Sequence, residues 1–227
     1  MKKNLFAYFV FFYVLVFIVL PPVFGGFFFE RPNDFEAHYP FSVFFSAGVS
    51  LLIYVLSLKG RIIEKPFLRQ KQPFFVYSSS ILCCFGILCF STAVLEIAAF
   101  LLKIDAGIHK IIFPDTLLGF LNFFLGVICA AFSEEVIYRF YLPHALKTVA
   151  LKKFRNNPKQ WLICELAALL LFALGHVYLG ILGFFNTLIC GAALRICMVR
   201  TKSLWIPFAI HCVYNFLSFL FYFLASR

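Results

Sequence analysis

The sequence predicts an all-α fold: a polytopic transmembrane helical bundle of about seven spans, six to eight, with its most distinctive polar residues in the last four. Three observations carry that expectation. Of 227 residues, 63% are hydrophobic and only 13% are charged, far more apolar surface than a water-soluble core requires. The apolar residues fall in several runs near the roughly 20 residues that cross a bilayer. The runs are uninterrupted rather than alternating, which excludes a membrane β-barrel.

Charge and cysteine usage narrow the class further. The formal net charge is +10, yet all the Lys and Arg residues except Arg31, Lys103, Lys110 and Arg227 fall on one side of the expected topology. That is the positive-inside pattern, not a stripe for binding nucleic acid. The eight cysteines, at 83, 84, 89, 129, 164, 190, 197 and 212, lie inside apolar segments without a C-x-x-C pair. They are expected to be reduced and buried, neither a disulfide framework nor a thiolate metal site.

The elements follow in order. Lys2-Lys3 and the apolar run 5–20 predict a first helix, ended by Pro21-Pro22 and Gly25-Gly26. Val23-Phe24-Gly25 is a weak cleavage signal, and the helix is expected to remain uncleaved. The acidic loop with Glu30, Asp34 and Glu36 is placed outside. Span 41–58 then empties into a basic inner loop with Lys59, Arg61, Lys65, Arg69 and Lys71. Span 74–102 is long enough to tilt, carries Glu96 at an expected interfacial position, and leads to an outer loop holding His109. A fourth span starts near Thr116. After it, Lys147, Lys152, Lys153, Arg155 and Lys159 predict an amphipathic helix on the inner surface. Span 161–178 contains Glu165 and His176, and a tight turn at 180–183 leads to a sixth span with Arg195 near its inner end. Span 204–224 carries Pro207, His211 and Asn215. This topology puts the N-terminus in the cytoplasm.

The fourth span ends in Phe132-Ser133-Glu134-Glu135-Val136-Ile137-Tyr138-Arg139. An ionised side chain within the bilayer costs roughly 2.5–3.5 kcal/mol on insertion scales, so it needs a partner or a function. Glu135 and Arg139 stand four apart in the favourable order for an ion pair on one helix face. Glu134 lies about 100° around the helix, with Tyr138 at its own i+4 position. One acid is then neutralised structurally while the other is left for chemistry. The plainer alternative is an ion-pair cap at a helix end. Two further motifs are Phe172-x-x-x-His176 and His211-x-x-x-Asn215, the latter pair on one helical face. A carboxylate and two imidazoles in a partly dry cavity form an acid/base set. The Asn215 amide is a neutral donor suited to a developing oxyanion. Each residue taken alone also fits an ordinary interhelical hydrogen bond.

These three motifs, in this order, resemble the CPBP family, also called Abi or type II CAAX proteases, which includes the Ras-converting CAAX endoprotease and the myxosortases. The resemblance covers about residues 116–220 and divides the chain into N-terminal helices 1–115 and a CPBP-like catalytic core 116–227. It implies an intramembrane endopeptidase in which Glu134 activates the attacking water and His176 assists. His211 and Asn215 would stabilise the oxyanion, with Glu135, Arg139, Phe172 and Tyr138 in support.

No cofactor is expected. Older descriptions of the family as metalloproteases suggest Zn2+ held by Glu134, His176 and His211 as the alternative. H-E-x-x-H is absent, however, and a ligating Glu134 would leave another group to act as base. The implied partners are the lipid bilayer and a membrane-tethered or lipidated protein substrate, in a bacterial-type inner or plasma membrane. A CAAX prenyl protease proper is the narrower alternative. A non-catalytic bacteriocin-immunity or scaffold protein, and a proton-coupled transporter, are the alternatives from other classes. Counting about 1.5 Å per residue from the inner surface places Glu134 and His211 shallow and His176 roughly 20 Å deep, a mismatch for a shared site.

Overall fold

Backbone amides buried in lipid have no water to bond, so apolar segments close their hydrogen bonds internally as helices. The computed structural model describes residues 2–28, 34–36, 39–60, 71–103, 110–150 and 158–225. Among them are seven long helices: α1 (2–28), α2 (Phe41–Leu58), α3 (Phe74–Leu102), α4 (117–150), α5 (Pro158–Leu174), α6 (Gly180–Thr201) and α7 (Trp205–Ala225). The protein is an all-α, multi-pass integral membrane bundle. Five stretches are long and apolar enough to cross a membrane, at Leu5–Gly25, Phe41–Leu58, Phe74–Leu102, Leu117–Thr148 and Val177–Thr201, and Trp205–Phe221 is a shorter apolar helix. The basic residues at 61–70, the outer-loop residues 104–109 with His109, and residues 151–157 of the expected amphipathic helix lie outside the described residues.

Two helices run further than the sequence suggests, for one physical reason. A proline inside a helix lacks the N–H for the carbonyl four residues back, and its ring crowds that carbonyl. In α1 the turn Leu15–Val19 ahead of Pro21-Pro22 widens to π geometry, with the Leu20 amide bonded to the Leu15 carbonyl. The helix therefore passes through both prolines and Gly25-Gly26 to Phe28. In α4 the segment Glu135–Tyr141 widens in the same way ahead of Pro143, with the Leu142 amide on the Ile137 carbonyl. The Glu-Glu-Arg cluster is consequently not a helix end. At about 1.5 Å per residue, Glu134 stands about 25 Å from Leu117 and about 20 Å from Thr148.

The expected turn between the fifth and sixth spans also moves. It lies at Gly175-His176, followed by a 3-10 turn Val177–Leu179, and Gly180 then opens α6 with φ 92°. That left-handed backbone favours glycine. The loops contribute one feature that the helical periodicity did not announce: a short parallel pairing of β1 (Asp34–Glu36) with β2 (Lys110–Ile112), Phe35 opposite Ile111. It ties the segments before α2 and α4 at one end of the bundle.

Helix α2 packs along α4, α3 and α5 along α6, and α7 against α3, α4 and α6. The main core wraps the second half of α4, where Val136, Ile137, Phe140, Tyr141 and Leu142 are buried against Phe11, Val14 and Val19 of α1 and Ile53 of α2. A second core joins α3, α6 and α7 through Leu88, Leu194 and Ile210, with Cys84, Cys190 and Cys197 as small buried thiols. Trp205, the first residue of α7, stacks on Phe132 at 6.1 Å. Helix α7 thus begins beside the middle of α4, which brings an early residue of α7 level with Glu134.

One close approach fixes the loop over this region. Asn122 of α4 accepts the Tyr39 amide at 2.9 Å and donates to the Tyr39 carbonyl at 3.2 Å. A Cβ at Gly126 would overlap the Tyr39 ring. Gly126→Val is expected to destabilise by about 1–3 kcal/mol, measured as a lower Tm in lipid. Gly86→Ala, where an added Cβ meets nothing within 4 Å, should not lower it.

Candidate active site

The mid-membrane charge is neutralised first. Glu135 is fully buried and Arg139 is 3% exposed, with Arg139 Nη1 3.0 Å from Glu135 Oε1. The same Oε1 meets His211 Nδ1 at 2.9 Å. The guanidinium carbon of Arg139 lies 4.0 Å from the centre of the Phe172 ring, a cation–π contact in a desolvated setting. Phe172 also packs on Tyr138, ring centres 5.1 Å apart, and on His176 at 4.7 Å. Tyr138 is thus seated on Phe172.

Glu134, by contrast, keeps its carboxylate one-quarter exposed and faces both imidazoles. Its Oε1 is 3.9 Å from His176 Nε2, and its Oε2 is 3.7 Å from His211 Nε2. Both histidines are locked by their other nitrogen. His176 Nδ1–H donates to the Phe172 carbonyl at 2.9 Å, because a carbonyl can only accept. His211 Nδ1–H donates to the Glu135 carboxylate. Both Nε2 atoms therefore point at Glu134, and in a neutral imidazole each offers a lone pair.

Glu134, His176, His211 and Asn215 all line one cavity of about 470 Å³. The depth mismatch from residue counting disappears because α4 passes through Pro143, which puts Glu134 at mid-span. Asn215 follows His211 by one turn on α7. Tyr39 closes part of the wall. Burial, reinforced by the Glu134 carboxylate, pushes its phenol above the ordinary tyrosine range, so Tyr39 stays a hydrogen donor at physiological pH.

Residues 116–217 match the family described as type II CAAX prenyl endopeptidase Rce1-like. The match spans a little under half of the chain, and over that span the protein is similar to the CAAX proteases. No curated protein and no solved structure matches it. The matched family is one of membrane proteases.

The cavity is built from more than the three motifs. Helix α3 contributes Thr92, Leu95 and Glu96 to the wall, so Glu96 faces the cavity. Thr92 Oγ1 is 2.6 Å from the Tyr214 hydroxyl, and Asn186 Nδ2 donates to that hydroxyl at 3.1 Å. Ser91 and Thr92 both donate to Asn186 Oδ1, at 3.1 and 3.3 Å. Residues of these types are common in membrane helices, and no spacing marks them. Glu165 and Arg195 had a clearer signal, being two membrane-embedded charges without a local partner. They pair across α5 and α6, with Arg195 Nε donating to Glu165 Oε2 at 2.7 Å and Nη2 to Oε1.

Glu134, His176 and His211 have the chemistry of a His2Glu zinc site. Among the described residues, however, no group of three His, Cys, Asp or Glu side chains converges closely enough to hold an ion.

Removing one partner of the buried pair leaves the other charge uncompensated. Arg139→Met is expected to cost about 3–5 kcal/mol. Glu134→Gln, at a partly exposed position outside that pair, should change the unfolding temperature little. Thermal unfolding of both variants in the same lipid separates the structural acid from its neighbour.

Proposed function

We propose that this protein hydrolyses a peptide bond in a membrane-tethered substrate without a metal, using a water activated by Glu134. Residues 116–227 form the catalytic core in this proposal, and residues 1–115 sheathe it and complete the cavity wall. The observation that carries it is the pair of gaps between Glu134 and the two Nε2 atoms, 3.9 and 3.7 Å. Both are too long for a direct hydrogen bond and suit one bridging water.

Such a water donates one hydrogen to Glu134 and the other to the Nε2 lone pair of His176. Its own lone pair is left to attack the substrate carbonyl. As the C–O bond forms, negative charge collects on the carbonyl oxygen. A protonated His211, its Nδ1–H held by Glu135, donates Nε2–H to that oxygen, and the Asn215 amide supplies a second donor one turn away. Glu134 then passes its proton to the departing amine nitrogen, and the C–N bond breaks to leave an acid and an amine. Glu135, Arg139, Phe172 and Tyr138 hold the histidines in place and do not exchange protons with substrate.

The family description favours a prenylated C-terminus as the narrower substrate, and a cavity lined by membrane helices suits any lipid-tethered peptide that enters from the bilayer. The positive-inside pattern supports a cytoplasmic N-terminus in a bacterial-type inner or plasma membrane.

The test is cleavage of prenylated and unprenylated membrane-tethered peptides by purified protein in lipid. Glu134→Gln is expected to lower kcat by about 10²–10⁴-fold, and Asn215→Ala by about 10²–10³-fold. Chelator should leave the wild-type rate unchanged. Loss on chelation with recovery on adding zinc would overturn the metal-free route but keep the protease. Equal rates for wild type and Glu134→Gln would remove Glu134 from the chemistry, as for a scaffold or transporter.

A further inference from the structure

We infer that Arg195, oriented by Glu165, is a positioning residue for the Glu134 carboxylate, acting through the π-helical turn of α4; the catalytic part of this inference rests on the protease reading above. In a regular helix the Arg139 carbonyl accepts from the amide of residue 143. Residue 143 is proline and has no N–H to give. Arg195 reaches across from α6 to this carbonyl, its Nη1 donating to it at 2.8 Å.

Two further donors of Arg195 are also committed. Nε and Nη2 form the two-pronged pair with Glu165 of α5, a geometry that fixes the plane of the guanidinium. Its central carbon lies 5.9 Å from the centre of the Trp161 ring, at the limit of a cation–π contact. One side chain thus ties α5 and α6 to a single carbonyl of α4. That carbonyl belongs to Arg139, the partner of Glu135, which in turn holds His211.

The π turn is the part of α4 most in need of such a tie. Widening a helix to π geometry changes the angular position of every residue beyond it, and Glu134 sits at its N-terminal edge. The gaps from Glu134 to His176 and His211 depend on where that turn is placed. Lysine could not replace Arg195 here, since one ammonium lacks the flat fork that serves Glu165 and the carbonyl together.

The experiment uses full-length protein in lipid and a membrane-tethered reporter peptide that the wild type cleaves, with Arg195→Met, Glu165→Gln and the double variant Arg195→Met/Pro143→Ala. Arg195→Met should lower kcat about 10²-fold while KM stays within about twofold, with Glu165→Gln between it and wild type. Alanine at 143 restores the backbone N–H, so the double variant should recover kcat to within about threefold of wild type. A merely structural ion pair predicts no such recovery. Backbone hydrogen exchange across residues 139–148 supplies a readout independent of cleavage: about tenfold faster in Arg195→Met, and restored in the double variant. Restored exchange with no peptide cleaved by wild type would uphold the tie and sink the protease. Wild-type exchange and kcat in Arg195→Met, or no recovery in a folded double variant, would overturn the inference. Should Arg195→Met fail to fold, Arg195→Lys takes its place, and equal kcat with and without Pro143→Ala would overturn it.

Discussion

A carboxylate buried at the middle of a membrane span must be neutralised by groups that are themselves buried, and Glu135 imposes that constraint on the rest of the bundle. It is met from two helices at once: Arg139 one turn along α4, and His211 Nδ1–H from α7. The Phe172 ring from α5 covers the guanidinium, so a third helix joins. An isolated ion of this kind would cost several kcal/mol in effective desolvation. The charge contacts of Glu135 with Arg139 and His211 offset part of that cost and link α4, α5 and α7, although Glu135 Oε2 and the guanidinium nitrogens of Arg139 are buried without a hydrogen-bond partner. Glu134 sits beside this network without being consumed by it. Its partial exposure to the cavity is possible because its neighbour has already supplied the counter-charge.

The network lies near the middle of the apolar stretch Leu117–Thr148 because α4 continues past its proline. Pro143 would end or sharply kink an α-helix of standard pitch, and a helix that stopped there would leave the cluster at the interface with free access to water. The π turn relieves the crowding, and α1 and α2 supply the apolar cover that the second half of α4 then requires. The same solution recurs in α1 at Pro21-Pro22. In both places a wider turn preserves helix continuity where the sequence alone signals a stop. In α4 the freed carbonyl is met by a side chain from another helix.

The polar wall on the other side of the cavity is more completely hydrogen-bonded. Thr92, Asn186 and Tyr214 bond to one another across α3, α6 and α7, which keeps three hydrogen-bonding groups stable in an apolar setting. The N-terminal helices are therefore joined physically to the site, through Thr92 and Glu96 of α3 and through Tyr39.

The sequence by itself determined the class of the molecule and the chemical types at its centre. Apolar run length and charge asymmetry specify a helical membrane bundle, because the bilayer leaves the backbone few other ways to satisfy its hydrogen bonds. The spacing of Glu135 and Arg139 specifies an ion pair, because i,i+4 residues share a helix face. The bounds of α2 and α3 were legible for the same local reasons. Tertiary structure alone decided the depth of Glu134, the seat of Tyr138, the entry of Glu96 and Asn186 into the cavity wall, and the pairing of Glu165 with Arg195. These depend on packing between helices distant in the chain. Whether Pro143 breaks α4 or is absorbed in a π turn depends on the cover from α1 and α2 and on the Arg195 donor, and none of these is local to the proline.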